Sequence, residues 1–264
     1  MRIFVVFAHP DDETMLAGGT LALLARLGAE VQYGCATRGE GGDLGEPPLC
    51  TRNEVGLVRE NELRCAVRAL GGKSVQFLDY VDPVVGADNE LYAFDGDENK
   101  FAQTIMHEIR ALQVDAVITH GSDGEYGHPA HLKVHRGVKQ AVMKLPEAER
   151  PLFYTFQGGF SGHPKERVMN QSDPAHLIVD IGSVAVKKLA AIACHKTQHA
   201  LFLRHVEPDA QGQRSLAQAV MRLESLHRVF PPVKTLPVQD ALAELLAEIK
   251  GVTLVQEAST PAES

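Results

Sequence analysis

The stretch IFVVFAHPDDE, residues 3–13, decides the fold. Its first six residues are apolar and leave no polar side, which predicts a strand buried on both faces of a parallel sheet. Because Pro10 lacks an N–H and cannot continue a central strand, the strand should end near His9. Apolar residues near helical spacing follow from Thr14 to Leu27. The acidic residues therefore lie between a strand end and a helix start, where open α/β sheets bind their ligands.

The acidic residues of this turn have a simpler explanation as helix caps. Asp11 or Asp12 could accept hydrogen bonds at the helix N-terminus and complement the helix dipole. A helix start needs only one such residue, however, and a histidine three places before Asp12 adds nothing to a cap. We therefore interpret His9, Asp11 and Asp12 as candidates for a functional site.

Composition restricts the class of protein. The chain has 264 residues, of which 44% are hydrophobic and 23% charged, as is ordinary for a soluble globular protein. Its formal net charge of −8 argues against a nucleic-acid partner and a polybasic membrane anchor. The N-terminal apolar run is too short to span a bilayer and is not a signal peptide. We expect a cytoplasmic protein with a small soluble substrate and no membrane partner, and leave open whether it forms a homo-oligomer.

The cysteines are scattered along the chain without a C-x-x-C spacing (Cys35, Cys50, Cys65 and Cys194). This pattern favours free thiols over a disulfide framework or a thiolate metal site. It agrees with the cytoplasmic location expected above.

Strand and helix patterns alternate through most of the chain, which is typical of βαβ units. The sequence therefore predicts an α/β fold with a Rossmann-like, mostly parallel sheet and helices on both faces. We predict one domain over residues 1–264, with its core in about 1–200 and a polar tail in 258–264. Residues 201–257 are predicted as a helical extension that serves as a smaller cap or an oligomerisation element. Its helices are predicted at 215–226 and 241–250.

The segment YGHPAHLKVH, residues 126–135, is a second cluster of candidate residues. If a helix begins near His128, then His131 and His135 share one of its faces and His128 lies close to them. The predicted strand before this helix, 116–119, ends at the same sheet edge as the first strand. A lone histidine on such a helix is more often a surface residue, but the two clusters at strand ends favour a common site.

These clusters could bind one metal ion. His9, Asp12 and one or two of the later histidines would supply imidazoles and a carboxylate and leave a position for water, which is a catalytic zinc environment. Asp11 could then take a proton from the metal-bound water. A histidine that faces the site without binding, or Tyr126, could stabilise the oxyanion of an attacked carbonyl. These residues could together hydrolyse an amide or an ester.

The motifs together resemble the LmbE/PIG-L family of zinc-dependent N-acetylglucosaminyl de-N-acetylases, which includes the deacetylases of mycothiol, bacillithiol and glycosylphosphatidylinositol biosynthesis. AHPDDE at 8–13 is highly specific for this family, and GHPAH at 127–131 moderately so. The resemblance also includes TRGEG at 37–41 and RENEL at 59–63, and weakly reaches HKTQ at 195–198. It implies a metal-dependent deacetylase that hydrolyses a linear amide C–N bond.

The resemblance implies a role for each matching residue of the two main motifs. His9, Asp12 and His131 match the metal ligands of the family. Asp11 matches its general base, and His128 matches the histidine that assists the oxyanion or the leaving amine. The implied metal is Zn²⁺, although another divalent transition metal such as Fe²⁺ is an alternative.

Substrate contacts are implied for Arg59 and Asp82, together with Tyr126. Arg59 matches a basic residue near the sugar pocket, but it could also be a solvated partner of nearby glutamates on the helix surface. Asp82 could contact the sugar or only cap a turn before the next proline. His195 could line the site, although a structural role is favoured.

Ala130 departs from the family pattern, which usually reads His-Pro-Asp-His. The missing carboxylate can orient a neighbouring histidine, so its loss leaves the ligands intact but puts the tuning of His128 in doubt. Asp123 or Glu125 could compensate, or the activity could be impaired or altered.

The main hypothesis is therefore a zinc hydrolase that removes an acetyl or other short acyl group from an amino sugar such as an N-acetylglucosaminide. A nucleotide-binding Rossmann protein is one alternative, but its first turn should be glycine-rich rather than acidic. Gly18 and Gly19 come too late for that turn and should instead allow close helix packing. A non-catalytic sugar-binding relative is the other alternative, and Ala130 supports it.

Overall fold

The computed structural model describes residues 1–256, so the polar tail predicted at 258–264 lies outside the described residues. Within them, no helix is both long and apolar enough to cross a membrane. Short 3₁₀ turns connect several of the helices and strands. In chain order these are β1 (Arg2–Phe7), α1 (Asp12–Arg26), β2 (Glu30–Thr37), α2 (Val55–Leu70), β3 (Ser74–Tyr80), α3 (Glu98–Ala111), β4 (Ala116–Thr119), α4 (Gly124–Gly127), α5 (Pro129–Lys144), β5 (Leu152–Phe156), β6 (Gly158–Gly159), β7 (Asn170–Pro174), β8 (Leu177–Asp180), α6 (Ala185–Cys194), α7 (His199–Arg204), β9 (Leu223–Phe230), α8 (Ala241–Ala247) and β10 (Val252–Leu254).

One eight-stranded sheet forms the centre of the protein, with the strand order β10-β8-β9-β5-β4-β1-β2-β3. The five strands from β5 to β3 in this order are parallel. β9 is antiparallel to β5 and β8, and β10 is antiparallel to β8. β6 and β7 pair separately. The predicted α/β fold with a mostly parallel sheet is confirmed.

β1 lies in the interior of the sheet, between β4 and β2, and contributes to a hydrophobic core on each face. One core contains residues of α1, α2, α6 and α8, and the other contains residues of α3 and α5. Because side chains alternate along a strand, successive residues of β1 enter opposite cores. This explains why the strand has no polar side. The first core receives Ile3, Val5 and Phe7, and the second receives Phe4, Val6 and Ala8.

α1 is interrupted at Ala17, whose φ of −147° is not helical. The Glu224 carboxylate, from β9, accepts the backbone N–H groups of Gly19 and the next residue at 2.9 and 2.7 Å, which caps the second part of the helix. Lys188 forms a buried ion pair with Glu224 at 2.7 Å. A Cβ atom at Gly19 would lie 2.4 Å from Ile181, so this glycine does allow close packing, as predicted.

The C-terminal part of the chain differs from the prediction. Residues 223–230 form β9, between β5 and β8, whereas a helix was predicted at 215–226. The helix prediction is wrong because pairing with two neighbouring strands satisfies the backbone of this segment, and such tertiary pairing outweighs local apolar spacing. α8 agrees with the helix predicted near 241–250. Since β9 and β10 enter the main sheet, the segment is not the helical extension that the sequence predicted.

The prediction of free thiols is also wrong for half of the cysteines. Cys65 in α2 and Cys194 at the end of α6 form a disulfide, with Cα atoms 5.7 Å apart. Cys35 and Cys50 are free. The partners are 129 residues apart in the chain, so their pairing depends on the packing of the two helices and has no local spacing signal.

Candidate metal centre

The two sequence motifs meet at the carboxyl edge of the sheet because β1 and β4 are parallel neighbours. His9 and Asp12 follow β1 directly. His128 is the N-cap of α5, and its Nδ1 accepts the backbone N–H of Ala130 at 3.2 Å. His131 lies in the first turn of that helix. The predicted helix start near His128 is therefore confirmed.

Asp12 lies between His9 and His131. Its Oδ2 is 3.4 Å from His9 Nδ1, and its Oδ1 is 3.3 Å from His131 Nε2. The backbone N–H of His9 donates to Oδ2 at 2.8 Å. His131 Nε2 is buried and has no hydrogen-bond partner. A buried imidazole nitrogen that faces a carboxylate without a hydrogen bond fits a metal ligand, because other buried polar atoms normally find a partner.

Each of these two histidines has a carboxylate behind it. His9 Nε2 lies 3.1 Å from Asp82 Oδ1, and His131 Nδ1 donates to Glu125 Oε2 at 2.6 Å. Carboxylates in this position fix the tautomer and the ring orientation of metal-binding histidines. Asp82 therefore belongs to the site and does more than cap a turn.

The charges of the site favour a cation among these groups. Burial lowers the pKa of His9, but Asp82 and Asp12 outweigh it and raise the value to about 9. The pKa of His131 is likewise raised, to about 10, because the effects of Asp12 and Glu125 outweigh that of burial. Burial raises the pKa of Asp12, but His131 and His9 bring it well below its usual range. The carboxylates thus stabilise positive charge at the two imidazoles, and a bound divalent ion would provide that charge.

His128 and Tyr126 form the open side of the cluster. The ring of His128 stacks on that of His131 with centroids 4.4 Å apart, and it lies 4.8 Å from that of His9. Burial, then His9 and His131, lower the pKa of His128 to about 3. Because Nδ1 of a neutral His128 accepts a backbone N–H, its proton is on Nε2. The Tyr126 ring lies 5.7 Å from that of His128, and the residue as a whole is 44% exposed.

His120 also belongs to this cluster, although it lies outside the two sequence motifs. His120 could form a metal-binding group with Asp12 and His131, and its Nε2 lies 3.5 Å from Asp12 Oδ2. However, this nitrogen accepts the backbone N–H of Ala8 at 3.0 Å, while Nδ1 donates to Glu125 at 3.0 Å. With both nitrogens engaged, His120 supports the stacked ring of His131 rather than binding an ion itself. Its place at the end of β4 was the only sequence signal.

Asp11 lies beside the cluster against a buried arginine. Burial raises the pKa of Asp11 to about 7, although Arg59 opposes this effect. Arg59 Nη2 lies 3.4 Å from Asp11 Oδ2 and donates to the carbonyl of Pro10 at 2.6 Å, and Nη1 donates to the carbonyl of Gly39 at 2.9 Å. Arg59 is only 3% exposed. The alternative of a solvated partner for neighbouring glutamates is therefore wrong.

The backbone of Asp11 has a φ of 111°, in the left-handed region that L-residues rarely adopt. Its N–H donates to Glu13 Oε2 at 3.0 Å, and Glu13 Oε1 lies 2.9 Å from His195 Nε2. Both Glu13 and His195 are completely buried. This chain of contacts stabilises the unusual turn, which agrees with the structural role favoured for His195.

The carboxylate missing at Ala130 is replaced only in part. Glu125 contacts His131 and His120, but the imidazole of His128 has a single hydrogen bond in the described part of the chain, from the backbone N–H of Ala130. Glu125 itself has a φ of 62°, again in the left-handed region. Asp123 caps its own turn and accepts the N–H of Glu125. His135, on the next turn of α5, contacts the carbonyl of His120.

Comparisons with known proteins place the chain among deacetylases. It is 29% identical over 225 residues to a probable N-acetyl-alpha-D-glucosaminyl L-malate deacetylase 2 from Bacillus cereus, covering 84% of this chain and 95% of the relative. It is 32% identical over 244 residues to a 1D-myo-inositol 2-acetamido-2-deoxy-alpha-D-glucopyranoside deacetylase from Segniliparus rotundus, covering 75% and 77%.

Solved structures show the same fold with more than one chemistry. The N,N'-diacetylchitobiose deacetylase from Pyrococcus horikoshii is similar with a TM-score of 0.59 and 20% identity, over 86% of this chain and 83% of that one. GalB, a 4-carboxy-2-hydroxymuconate hydratase from Pseudomonas putida KT2440, has the same TM-score at 23% identity, over 88% and 98%. The fold alone therefore does not decide the reaction.

The family described as "PIG-L: GlcNAc-PI de-N-acetylase" matches residues 4–142, which is just over half of the chain. This range includes both motifs together with Arg59, Asp82, His120 and Glu125, whereas His195 lies outside it. The chain therefore belongs to the PIG-L family of de-N-acetylases.

Proposed function

We propose that the protein is a zinc-dependent hydrolase that removes an N-acetyl or other short acyl group from an amino sugar. The observation that carries this proposal is the arrangement around Asp12. Its two carboxylate oxygens face nitrogens of His9 and His131, and Asp11 lies beside them. Two imidazoles and one carboxylate are a donor set that suits zinc, and iron(II) is the alternative.

We assign the metal to His9, Asp12 and His131. A divalent ion bound there would acidify a water molecule and polarise the amide carbonyl. Asp82 and Glu125 would hold the two imidazoles in their binding orientation. The Glu125 side chain is completely buried and that of Asp82 is largely so, and both carboxylates would also offset the charge of the ion.

Asp11 is the proposed general base. It is adjacent to a ligand without being needed as one, and its raised pKa makes the carboxylate a better proton acceptor than an ordinary aspartate. Arg59 is too buried to serve mainly as a sugar contact. We propose that it acts on the substrate through Asp11, by holding that carboxylate in place.

His128 and Tyr126 are proposed to act on the other side of the amide. Nε2–H of a neutral His128 could donate a hydrogen bond to the developing oxyanion. Asp11, once it has taken a proton from the water, could return that proton to the leaving amine. Tyr126 is exposed enough to contact the substrate. Asp82 was also predicted as a sugar contact, and we propose that it acts chiefly by orienting His9.

The relatives named above act on N-acetylglucosaminyl malate and on an inositol glycoside of acetylglucosamine. We therefore propose that the substrate is a small glycoside of N-acetylglucosamine. The alternative of a non-catalytic sugar-binding relative rests on Ala130. This alternative is less well supported because His131 still has a carboxylate partner, Glu125.

Metal analysis and amine release test this proposal. The purified protein should contain or bind zinc in a 1:1 ratio and release amine from N-acetylglucosaminides. Asp11→Asn should lower kcat by about 10²- to 10⁴-fold with little change in zinc affinity. Asp88→Asn, at an exposed position, is the matched control and should leave kcat unchanged. A protein without affinity for divalent metals, or full activity in Asp11→Asn, would contradict the proposal.

A further inference from the structure

Three basic side chains lie close together beside the open side of the metal centre: Lys165, Arg167 and His205. The guanidinium carbon of Arg167 is 5.3 Å from the ring centre of Tyr126. Lys165 is the N-cap of a 3₁₀ turn that follows β6 and contains Arg167, and this turn packs against α4. His205 follows α7 and lies near both, since Arg167 and Lys165 help to lower its pKa after burial.

These basic residues have no acidic partner within the described part of the chain. No ion pair involves any of the three, whereas the nearby Arg204 is paired with Asp43 and Glu46. Glu166 lies between two of them in sequence, but it is exposed and forms no ion pair with either. Positive charges brought together without a counter-ion repel each other, and Arg167 and Lys165 accordingly help to lower the pKa of the neighbouring His205. An anion would relieve this repulsion.

The basic residues lie within reach of a substrate at the metal. Tyr126 is the single ring between Arg167 and the two histidines, His128 and His131, whose ring centres are 5.7 and 5.6 Å from its own. In a glycoside of N-acetylglucosamine, the acetamido group and the aglycone are on adjacent ring carbons. An acetyl group at the metal therefore places the aglycone only a few bonds away.

We propose that Arg167 and Lys165 form a subsite for a carboxylate in the aglycone of the substrate. The planar guanidinium can bind a carboxylate with two parallel hydrogen bonds, while the face of Tyr126 holds it in place. His205 adds a third donor at the edge. This inference rests on the proposed function and makes it more specific: it favours an acidic aglycone, as in the malate glycoside, over a neutral one, as in the inositol glycoside.

Steady-state kinetics with those two glycosides tests the subsite. Arg167→Gln should raise KM for the malate glycoside roughly 10- to 100-fold, with little change in kcat, because a charged hydrogen bond is lost. KM for the inositol glycoside should stay within about twofold, since no carboxylate is involved. Arg167→Lys should raise KM for the malate glycoside less than Arg167→Gln does, because it keeps the charge. Lys165→Gln should also raise this KM. Arg136→Gln, an exposed arginine of α5 paired with Glu98, is the matched control.

Three results would overturn the proposal. Equal rises in KM for both glycosides would show that Arg167 only supports Tyr126. Unchanged KM for the malate glycoside would show that the basic residues do not contact it. If Arg167→Gln raises KM for N-acetylglucosamine 1-phosphate more than KM for the malate glycoside, the subsite binds phosphate and the carboxylate is rejected.

Failure of the proposed function can be recognised separately. If the wild type releases amine from neither of these glycosides nor from other N-acetylglucosaminides, the proposed function is refuted, and ligand-detected NMR on the same proteins tests the subsite alone. Stronger binding of the malate glycoside to the wild type than to Arg167→Gln would support the subsite. Equal binding to both proteins would overturn it.

Discussion

Glu125 Oε2 lies 2.6 Å from Nδ1 of His131, on the side of the imidazole opposite Asp12. The same oxygen is 3.0 Å from Nδ1 of His120, so one buried carboxylate holds two stacked rings. Its other oxygen accepts the N–H of Gly121 at 2.8 Å. Glu125 therefore orients the one proposed ligand that comes from the second motif.

Glu125→Gln should weaken zinc binding by about 10- to 100-fold, because an amide holds the imidazole less firmly and lowers its basicity. Competition with a chromophoric chelator measures the affinity. Glu147→Gln, at an exposed position, is the control. Circular dichroism should show a folded variant. If that folded variant binds zinc as tightly as the wild type does, Glu125 is not a supporting residue of the metal centre.

Glu13→Gln should reduce kcat by roughly 10- to 100-fold, since small displacements of a catalytic group are costly. Glu13 accepts the N–H of Asp11 and so stabilises the left-handed backbone of that residue. The side-chain amide of the introduced glutamine would also disturb the contact with His195. Zinc affinity should change far less than kcat. A parallel loss of zinc affinity would instead show that Glu13 supports Asp12. Glu54→Gln, exposed before α2, serves as the comparison.

The disulfide between Cys65 and Cys194 should stabilise the fold by restricting the unfolded chain. The double variant Cys65→Ser/Cys194→Ser should lower the free energy of unfolding by roughly 2–5 kcal/mol in urea titrations. Cys50→Ser, which changes a free cysteine, should have little effect. Thiol titration of the unreduced, denatured wild type should count two thiols, from Cys35 and Cys50. Four thiols would mean that the disulfide does not form.

His176 should make the protein less stable in acid. Burial, then His227 and Arg228, lower its pKa to about 4, and its Nδ1 accepts the N–H of Arg228 at 2.8 Å. Because the unfolded chain binds this proton more readily, stability is greatest above pH 6.5 and falls as the pH decreases towards 4. The loss due to this group should be roughly 1–3 kcal/mol.

Unfolding of the wild type and of His176→Asn at pH 7 and pH 4 measures this contribution. Asparagine can still accept the backbone N–H but does not titrate. The variant should therefore lose less stability between the two pH values. An equal loss in both proteins would show that other groups cause the acid sensitivity.

Local sequence patterns predicted much of the site, because the relevant signals lie within a few residues of each other. The apolar run ending at Pro10 determined where β1 stops, and the proline after His128 determined where α5 begins. Since parallel neighbouring strands end at the same edge, the meeting of His9 and His131 followed from these two boundaries. The fold class followed from the alternation of strand and helix patterns.

Contacts between distant segments were decided only by the tertiary structure. The apolar spacing of residues 215–226 fits a helix, yet β9 forms because β5 and β8 offer backbone partners on both sides. The burial of Arg59 and the pairing of Cys65 with Cys194 depend in the same way on what packs against α2. The sequence determined the residues that can do chemistry, whereas packing decided which nitrogen and which oxygen each of them has free.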